Sequence, residues 1–284
     1  MNNNETRKNL EKGEFLSIEL SPSLNKSLDF YLSNKKFNKI LPMVSDIIVT
    51  DSPLGKYTHN PILSASYIQN NTCKNTIVTF AMRDKNTPYA LAEIITAEEL
   101  KVDSYMFVTG DKTADGKNVF EKNSTDFMKE VCIQKQSKKL NTLMFSTCSN
   151  NLTDITKKKI KKKILNGADV IISQPIKNVK EAIEINEYIK ELNNELCLGR
   201  NVYFVAGFFP IVKLKTAIFL RDKVKGAEVS EELFKILELE DEDNLKPIEF
   251  NKKIFNELID RELNVHLMTA NNFDIMLDII SRND

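Results

Sequence analysis

The chain has 284 residues, with 40 basic and 40 acidic side chains and a formal net charge of zero. This balance gives no overall attraction to nucleic acid or to an anionic membrane surface, so neither is predicted as a partner. The hydrophobic share of 42% indicates a globular protein with a real core, and the length allows either two ordinary domains or one α/β barrel.

Eight strand-like segments are spread along the chain, and several are continuous apolar runs rich in β-branched residues. Such runs are typical of strands buried on both faces, as in a parallel sheet. The predicted strands are 15–20, 46–50, 76–80, 104–108, 142–146, 170–173, 202–205 and 265–268.

A helical pattern follows each predicted strand. Asn60-Pro61 predicts a helix start, because a capping residue is followed by proline in the first turn. A helix is predicted over 23–36, and Ser230 with two following acids predicts a short extra helix between strands seven and eight. Pro247 is expected to interrupt the chain before a long helix that ends near Glu262.

Eight strand–helix units predict a closed (βα)₈ TIM barrel, formed as a single domain over residues 1–284. A doubly wound open sheet uses the same alternation, and the pattern alone does not separate the two architectures.

The N-terminal segment and the cysteines indicate the compartment. The first fifteen residues are polar and lack the apolar core of a secretory signal, and no apolar stretch reaches the roughly 18 residues of a membrane helix. The four cysteines are scattered without a C-x-x-C pair or a neighbouring histidine, so they are interpreted as free thiols. A cytoplasmic protein without a metal site is expected.

Three polar residues stand out because catalytic groups of a parallel barrel lie at the carboxyl ends of its strands. Glu19 is an acid within the first strand, where burial would raise its pKa and suit a general acid; a salt-bridged structural role fits equally well. Asp111 follows Gly110 at the end of the fourth strand, and either faces the barrel mouth or stabilises a turn. Gln174 offers a hydrogen-bond donor and acceptors for an amide-like heterocycle, or it pairs with buried polar groups of the core. His266 is interpreted as structural.

Seven segments stand out in order along nearly the whole chain: F-L-S-I-E-L-S-P, D-I-I-V-T-D-S-P-L-G-K, M-R-D-K-N, V-T-G-D, N-G-A-D-V-I-I-S-Q-P, A-G-F-F-P-I and V-H-L-M-T-A-N-N. Together they resemble the methylenetetrahydrofolate reductase family. The resemblance implies that Glu19 protonates the folate nitrogen during ring opening and that Gln174 contacts folate. It also implies that Asp111 binds the pterin and influences the flavin, that Thr50 contacts the flavin, and that Lys163 lies near its phosphate.

Six lysines surround Ile160 between residues 157 and 163. Most are interpreted as the solvated face of an amphipathic helix, and Lys163 is the one expected to reach a phosphate. A nucleic-acid patch is the weaker interpretation, because no aromatic residues interleave with the lysines.

Several positions depart from the family pattern. A histidine that contacts flavin is replaced by Thr79, and an aspartate that holds the flavin ribose aligns with Thr156, with Asp154 as a nearby substitute. The aromatic that stacks on nicotinamide or folate aligns with Leu220, beside Phe219, and the arginine that closes the last family block aligns with Asn272. Since each lost contact is worth about 1–2 kcal/mol, these changes together would weaken flavin binding.

Three hypotheses follow from the resemblance. The first is an FAD-dependent oxidoreductase that interconverts 5,10-methylenetetrahydrofolate and 5-methyltetrahydrofolate, with NADH, NADPH or an electron-donor protein subunit as the source of electrons. The second is a folate one-carbon enzyme without flavin, and the third is a non-catalytic folate-binding subunit. The expected ligand in all three is a tetrahydrofolate derivative, and a homo-oligomer is left open. Retention of Glu19, Asp111 and Gln174 together argues against the third.

Overall fold

Eight parallel strands close into a barrel in which each strand pairs with the next and the eighth pairs with the first. A computed structural model describes residues 3–113, 116–138, 140–223, 228–239 and 244–281. The strands are β1 Leu16–Leu20, β2 Asp46–Val49, β3 Asn75–Ala81, β4 Ser104–Val108, β5 Leu143–Cys148, β6 Val170–Pro175, β7 Tyr203–Phe208 and β8 Asn264–Leu267. The predicted TIM barrel is confirmed, and the open sheet is excluded because the barrel is closed.

Helices cover the outside of the barrel. Those in the described residues are α1 Asn4–Lys12, α2 Leu28–Leu32, α3 Lys35–Ile40, α4 Pro61–Thr72, α5 Thr87–Glu99, α6 Ser124–Lys138, α7 Asp154–Leu165, α8 Val179–Leu196, α9 Leu214–Lys223, α10 Glu231–Glu238, α11 Leu245–Asp260 and α12 Phe273–Ile280. Within this part of the chain, none of them combines the length and the apolar character needed to cross a membrane.

Two of the helix predictions were wrong in detail. The single helix expected over 23–36 is the pair α2 and α3, because the Asn34 side chain accepts hydrogen bonds from the backbone N–H groups of Lys36 and Phe37 and so starts a new helix. Pro247 does not interrupt the chain; it lies in the first turn of α11, where a missing N–H breaks no helical hydrogen bond. The predicted extra helix is α10, whose cap is Ser230.

The inside of the barrel is a packed apolar layer at mid-height. Its side chains come from alternate positions of the strands, as a closed parallel barrel requires. The layer contains Ile48, Ile77, Leu143, Phe145, Val170, Ile172 and Val205. A larger apolar cluster fills the space between the strands and the surrounding helices. The interior is therefore closed at its centre, and any cavity has to lie toward an end.

Helix α1 covers the amino-terminal end of the barrel. Leu10 is 2% exposed and belongs to the inner apolar layer. Thr6 Oγ1 donates to Asp46 Oδ1 at 2.5 Å, and Asn264 Nδ2 donates to the carbonyl of Leu10 at 3.0 Å. Gly13 ends the helix with a φ of 74°, and a Cβ there would lie 2.1 Å from the Glu262 carbonyl oxygen. The amino-terminal end is thus sealed by a helix that the sequence analysis did not predict.

Replacing Leu10 with alanine is expected to lower the free energy of unfolding by about 3 kcal/mol, because it leaves a cavity under the inner layer. Denaturant unfolding followed by circular dichroism measures the change. Leu63→Ala is the matched control, since Leu63 is 62% exposed and its truncation should cost less than about 0.5 kcal/mol. Equal losses in the two variants would contradict a sealing role for α1.

Candidate functional site

A cavity of about 390 Å³ opens at the carboxyl ends of the strands. We call it the central cavity. Every strand except β7 contributes to its lining, either directly or through the loop that follows it. The lining comprises Glu19, Thr50, Asp51, Ser52, Pro53, Thr79, Met106, Val108, Gly110, Asp111, Thr147, Ile172, Ser173, Gln174, Pro175, His266 and Met268. Four of the five predicted site residues, Glu19, Thr50, Asp111 and Gln174, therefore meet in one hollow.

Glu19 points from β1 into the central cavity and is only partly exposed there. Burial raises the pKa of its carboxyl from 4.5 to about 7. Among the residues that the structure describes, no hydrogen bond or ion pair to this carboxyl is present. A carboxylic acid that is half protonated near neutral pH and has no structural partner can donate a proton to a ligand in the cavity.

His266 lies in the wall of the same cavity, on the strand next to β1. Its Nδ1 is 2.9 Å from the hydroxyl oxygen of Ser17, which is the residue paired with it across the two strands. Burial lowers the pKa of His266 from 6.5 to about 3, so the ring is neutral at physiological pH. The sequence interpretation placed this residue outside the site. The alternation of side-chain direction along β8 could have placed His266 in the site, because residues 264, 266 and 268 share the inward face.

Asp111 is held at the rim by two neighbouring loops. Its Oδ2 accepts a hydrogen bond from the Leu54 backbone N–H at 3.1 Å, and its carbonyl oxygen accepts from Arg83 Nη1 at 3.0 Å. Arg83 is buried and is itself fixed by Asp84 through its Nε, at 2.8 and 2.9 Å from the two carboxylate oxygens. The other carboxylate oxygen of this exposed residue, Asp111 Oδ1, is oriented by these contacts and accepts no hydrogen bond from the described part of the chain.

Two threonines face the cavity from adjacent strand ends. Thr50 Oγ1 donates to Ser21 Oγ at 2.9 Å, which fixes its side chain against the loop after β1. Thr79 Oγ1 is buried and has no hydrogen-bond partner among the described residues. A buried hydroxyl left unpaired costs free energy, so the Thr79 side chain is suited to a polar group supplied by a ligand.

Gln174 is placed by an irregularity between β6 and β7. The register of the two strands shifts between Ile172 and Pro175, and Gly207 allows their close approach because a Cβ there would lie 2.2 Å from the Ser173 carbonyl oxygen. The Gly207 N–H donates to Ser173 Oγ at 2.9 Å. The shift turns Gln174 toward the barrel mouth, where it borders two cavities.

A second cavity of about 330 Å³ adjoins the first through Thr147 and Gln174. We call it the side cavity. Its lining comprises Thr147, Cys148, Ser149, Thr156, Lys159, Ile160, Lys163 and Gln174. The fifth predicted site residue, Lys163, therefore lies beside the central cavity and not in it. Lys163 Nζ donates to the Thr147 carbonyl oxygen, and burial lowers its pKa.

The cysteine of the side cavity, Cys148, is a weak nucleophile at neutral pH. Burial raises the pKa of the Cys148 thiol to about 12, so the thiolate is scarce at neutral pH. The four cysteines are free thiols, as predicted.

The departures from the family pattern fall in different places. Thr156 lines the side cavity, whereas Asp154 stands in the first turn of α7 and is exposed. Leu220 is 8% exposed and packs with Ala217 and Leu233 in a separate apolar cluster under α10. Asn272 caps α12 by accepting from the Ile275 N–H at 3.2 Å. Neither Leu220 nor Asn272 lines either cavity.

The fold and the rim together define a (βα)₈ barrel protein with a carboxylic acid, a neutral histidine and a side-chain amide in one hollow at the carboxyl ends of its strands. The family described as methylenetetrahydrofolate reductase matches residues 5–284. The chain belongs to the methylenetetrahydrofolate reductase family, as the sequence resemblance predicted. No curated protein matches the chain.

Solved structures show the same fold at low sequence identity. An uncharacterized protein from Clostridium thermocellum, described as binding two copies of 5-methyl-5,6,7,8-tetrahydrofolic acid, is 15% identical with a TM-score of 0.65, and the match covers 96% of this chain and 97% of that one. A triclinic crystal form of 2,3-dimethylmalate lyase is 9% identical with a TM-score of 0.54, covering 96% and 81%. A lyase/mutase from Burkholderia cenocepacia J2315 is 10% identical with a TM-score of 0.51, covering 93% and 79%.

Proposed function

We propose that this protein is a folate-dependent oxidoreductase that interconverts 5,10-methylenetetrahydrofolate and 5-methyltetrahydrofolate. The observation that carries the proposal is the Glu19 carboxyl, which has a pKa of about 7 and faces a ligand-sized cavity without a partner among the described residues. Family membership supports the folate substrate. So does the methyltetrahydrofolate bound by the structurally similar Clostridium thermocellum protein.

The central cavity suits the flat, polar-edged pterin ring. Gln174 presents an amide that can donate to and accept from the heterocycle edge, and Asp111 Oδ1 can accept from its amino group. Met106, Ile172 and Met268 supply apolar surface for the ring faces. The volume lies at the small end of the range for ligand pockets, about 300–1,000 Å³.

Glu19 supplies the proton that opens the imidazolidine ring. The carbon–nitrogen bond breaks when the departing folate nitrogen takes the Glu19 proton, which leaves an electrophilic iminium carbon and a Glu19 carboxylate. Burial favours the protonated acid before this step, and the open cavity mouth lets solvent restore the proton afterwards. Neutral His266 adds no positive charge that would favour the ionised acid.

The residues at the rim fit a flavin nucleotide, which when bound supplies the hydride. Thr50 and Thr79 present hydroxyls to the central cavity, and the Thr79 hydroxyl is unpaired among the described residues. Lys163 adds positive charge beside the adjoining side cavity. We therefore propose FAD as cofactor, reduced by NADH, NADPH or an electron-donor protein.

A flavin-free folate enzyme is the second candidate. The observation that favours it is the position of Asn272, which caps α12 and lines neither cavity, so it does not offer the contact that the family pattern places there. The folate site and the role of Glu19 are the same in both candidates.

The visible spectrum of the purified protein separates these candidates. We expect flavin bands that bleach with NADH or NADPH and return when methylenetetrahydrofolate is added. A colourless protein that still converts folate would select the second candidate. A protein that binds folate and converts none, with or without added FAD, would contradict both and leave a binding subunit.

A further inference from the structure

We propose that Asn271 is a positioning residue for Glu19, and that its side-chain amide holds the end of β1 in place beside the end of β8. Asn271 follows β8 at the rim of the barrel and lines neither the central cavity nor the side cavity. It therefore acts on a bound ligand only through the strand that carries the acid. The part of Glu19 as proton donor rests on the proposed function, whereas the hold on β1 does not.

The backbone pairing of β1 differs on its two sides. On the β2 side the pairing continues to Leu20, which is the partner of Val49. On the β8 side the last pair is Ile18 with Leu267. Within the described residues, Glu19 is thus the first position of β1 without a backbone partner in β8. The strand end that carries the acid is attached through its backbone on one side only.

The Asn271 side chain supplies the attachment that is missing on the β8 side. Its Oδ1 accepts a hydrogen bond from the Ser21 N–H at 2.9 Å, and its Nδ2 donates to the Ser21 carbonyl oxygen at 2.6 Å. A side-chain amide has the same donor and acceptor as a peptide group, so it satisfies both backbone groups of Ser21 as a neighbouring strand would. Because Ser21 Oγ also accepts from Thr50 Oγ1, the chain is fixed from both sides two residues after Glu19.

The backbone of the turn after β8 is in an unfavourable conformation. Ala270 and Asn271 have φ values of 50° and 63°, in the left-handed region that asparagine tolerates and alanine disfavours. Ala270 is exposed and Asn271 is half-buried, so burial of these side chains does not account for the conformation. The paired hydrogen bonds to Ser21 do account for it, because the turn brings the amide back to β1.

Loss of the amide is expected to change the surroundings of Glu19. The Ser21 N–H and carbonyl would then need water as partner, and this water would enter beside the acid. Burial is the cause of the raised Glu19 pKa, so added hydration favours the carboxylate and lowers that pKa. The other titratable groups in the lining of the central cavity are Asp51, Asp111 and His266, and the substitution leaves all three in place.

The variant Asn271→Gly tests the proposal, because glycine keeps the left-handed backbone and removes only the amide. The alkaline limb of the pH–activity profile should move down by about one pH unit, which lowers turnover about tenfold at pH 8 and only about twofold at pH 6. The Kd for 5-methyltetrahydrofolate should be unchanged. Asn272→Ala is the matched control, since this adjacent asparagine caps α12 and its loss should lower stability without moving the profile. An unmoved limb in Asn271→Gly, or an equal shift in Asn272→Ala, would overturn the proposal.

Two further measurements need no turnover. Carbon-13 NMR of the glutamate carboxyls, with Glu19→Gln to identify the Glu19 signal, should show a lower titration midpoint in Asn271→Gly than in the wild type. Hydrogen exchange of the Ser21 N–H in the wild type should be as slow as in the paired part of β1, and rapid exchange would contradict the proposal even without a folded variant. A lowered midpoint in a protein that converts no folate would support the positioning role and contradict the proposed function.

Discussion

Replacing Glu19 with glutamine is expected to lower turnover by about 10²–10⁴-fold, the usual contribution of a general acid. Glutamine keeps the shape of the side chain but has no acidic proton to give to the folate nitrogen. Binding of 5-methyltetrahydrofolate should stay within a few-fold of wild type, because the pterin contacts come from Gln174 and Asp111. Steady-state kinetics and a fluorescence titration measure the two effects separately.

The pH dependence checks the same role. Wild-type activity in the reducing direction should fall as the pH rises through about 7, because the Glu19 acid is then ionised before substrate binds. The residual activity of Glu19→Gln should lack this step. Turnover of Glu19→Gln close to wild type would leave Glu19 with a structural role only.

Stability gives an independent measure of the raised pKa. In the folded protein the Glu19 pKa lies above its ordinary value of 4.5. The contribution of this group to the free energy of unfolding is therefore fully present below pH 4.5 and is lost as the pH rises through about 7. A shift of this size corresponds to at most about 3 kcal/mol. Glu19→Gln cannot ionise, and it should therefore be more stable than the wild type at pH 8 and similar to it at pH 4.

Gly207→Ala is expected to lower the free energy of unfolding by about 2–3 kcal/mol and to weaken folate binding. The added methyl group would lie 2.2 Å from the Ser173 carbonyl oxygen and 3.2 Å from that of Gln174. Since both atoms belong to the backbone, relief requires β6 and β7 to separate, which displaces Gln174 from the cavity. Denaturant unfolding and folate titration report the two losses.

Gly199→Ala serves as the comparison for this substitution. Gly199 has open space around its Cβ position but a φ of 69°, so alanine there meets only the left-handed backbone penalty of about 1 kcal/mol and leaves the cavity intact. If Gly207→Ala binds folate as tightly as Gly199→Ala does, Gly207 does not position Gln174.

The barrel could be predicted because its strands are encoded locally. Continuous runs such as 46–50 and 170–173 are buried on both faces, and that burial depends little on distant partners. The convergence of Glu19, Asp111 and Gln174 also followed from the pattern, since carboxyl ends of parallel strands share one rim. Their chemical roles stay predictions.

Helix α1 was missed because its burial is decided by distant residues. Its sequence is mostly polar, and its fixed contacts are Thr6 with Asp46 and Leu10 with Asn264, which no local periodicity reveals. The position of Lys163 could not be predicted from the sequence for a similar reason. Its bond to the Thr147 carbonyl depends on how α7 packs against the end of β5, which sequence spacing does not specify.

The placement of α1 also has a consequence for the order in which the protein matures. Helix α1 is synthesised before the strands of the barrel, but Asn264, which binds its Leu10 carbonyl and the Phe15 N–H, is made 249 residues after Phe15. The barrel surface that contacts α1 is therefore incomplete until β8 has been synthesised. Until then the Leu10 carbonyl and the Phe15 N–H lack this hydrogen-bond partner, although the strands whose apolar side chains cover Leu10 have already been made.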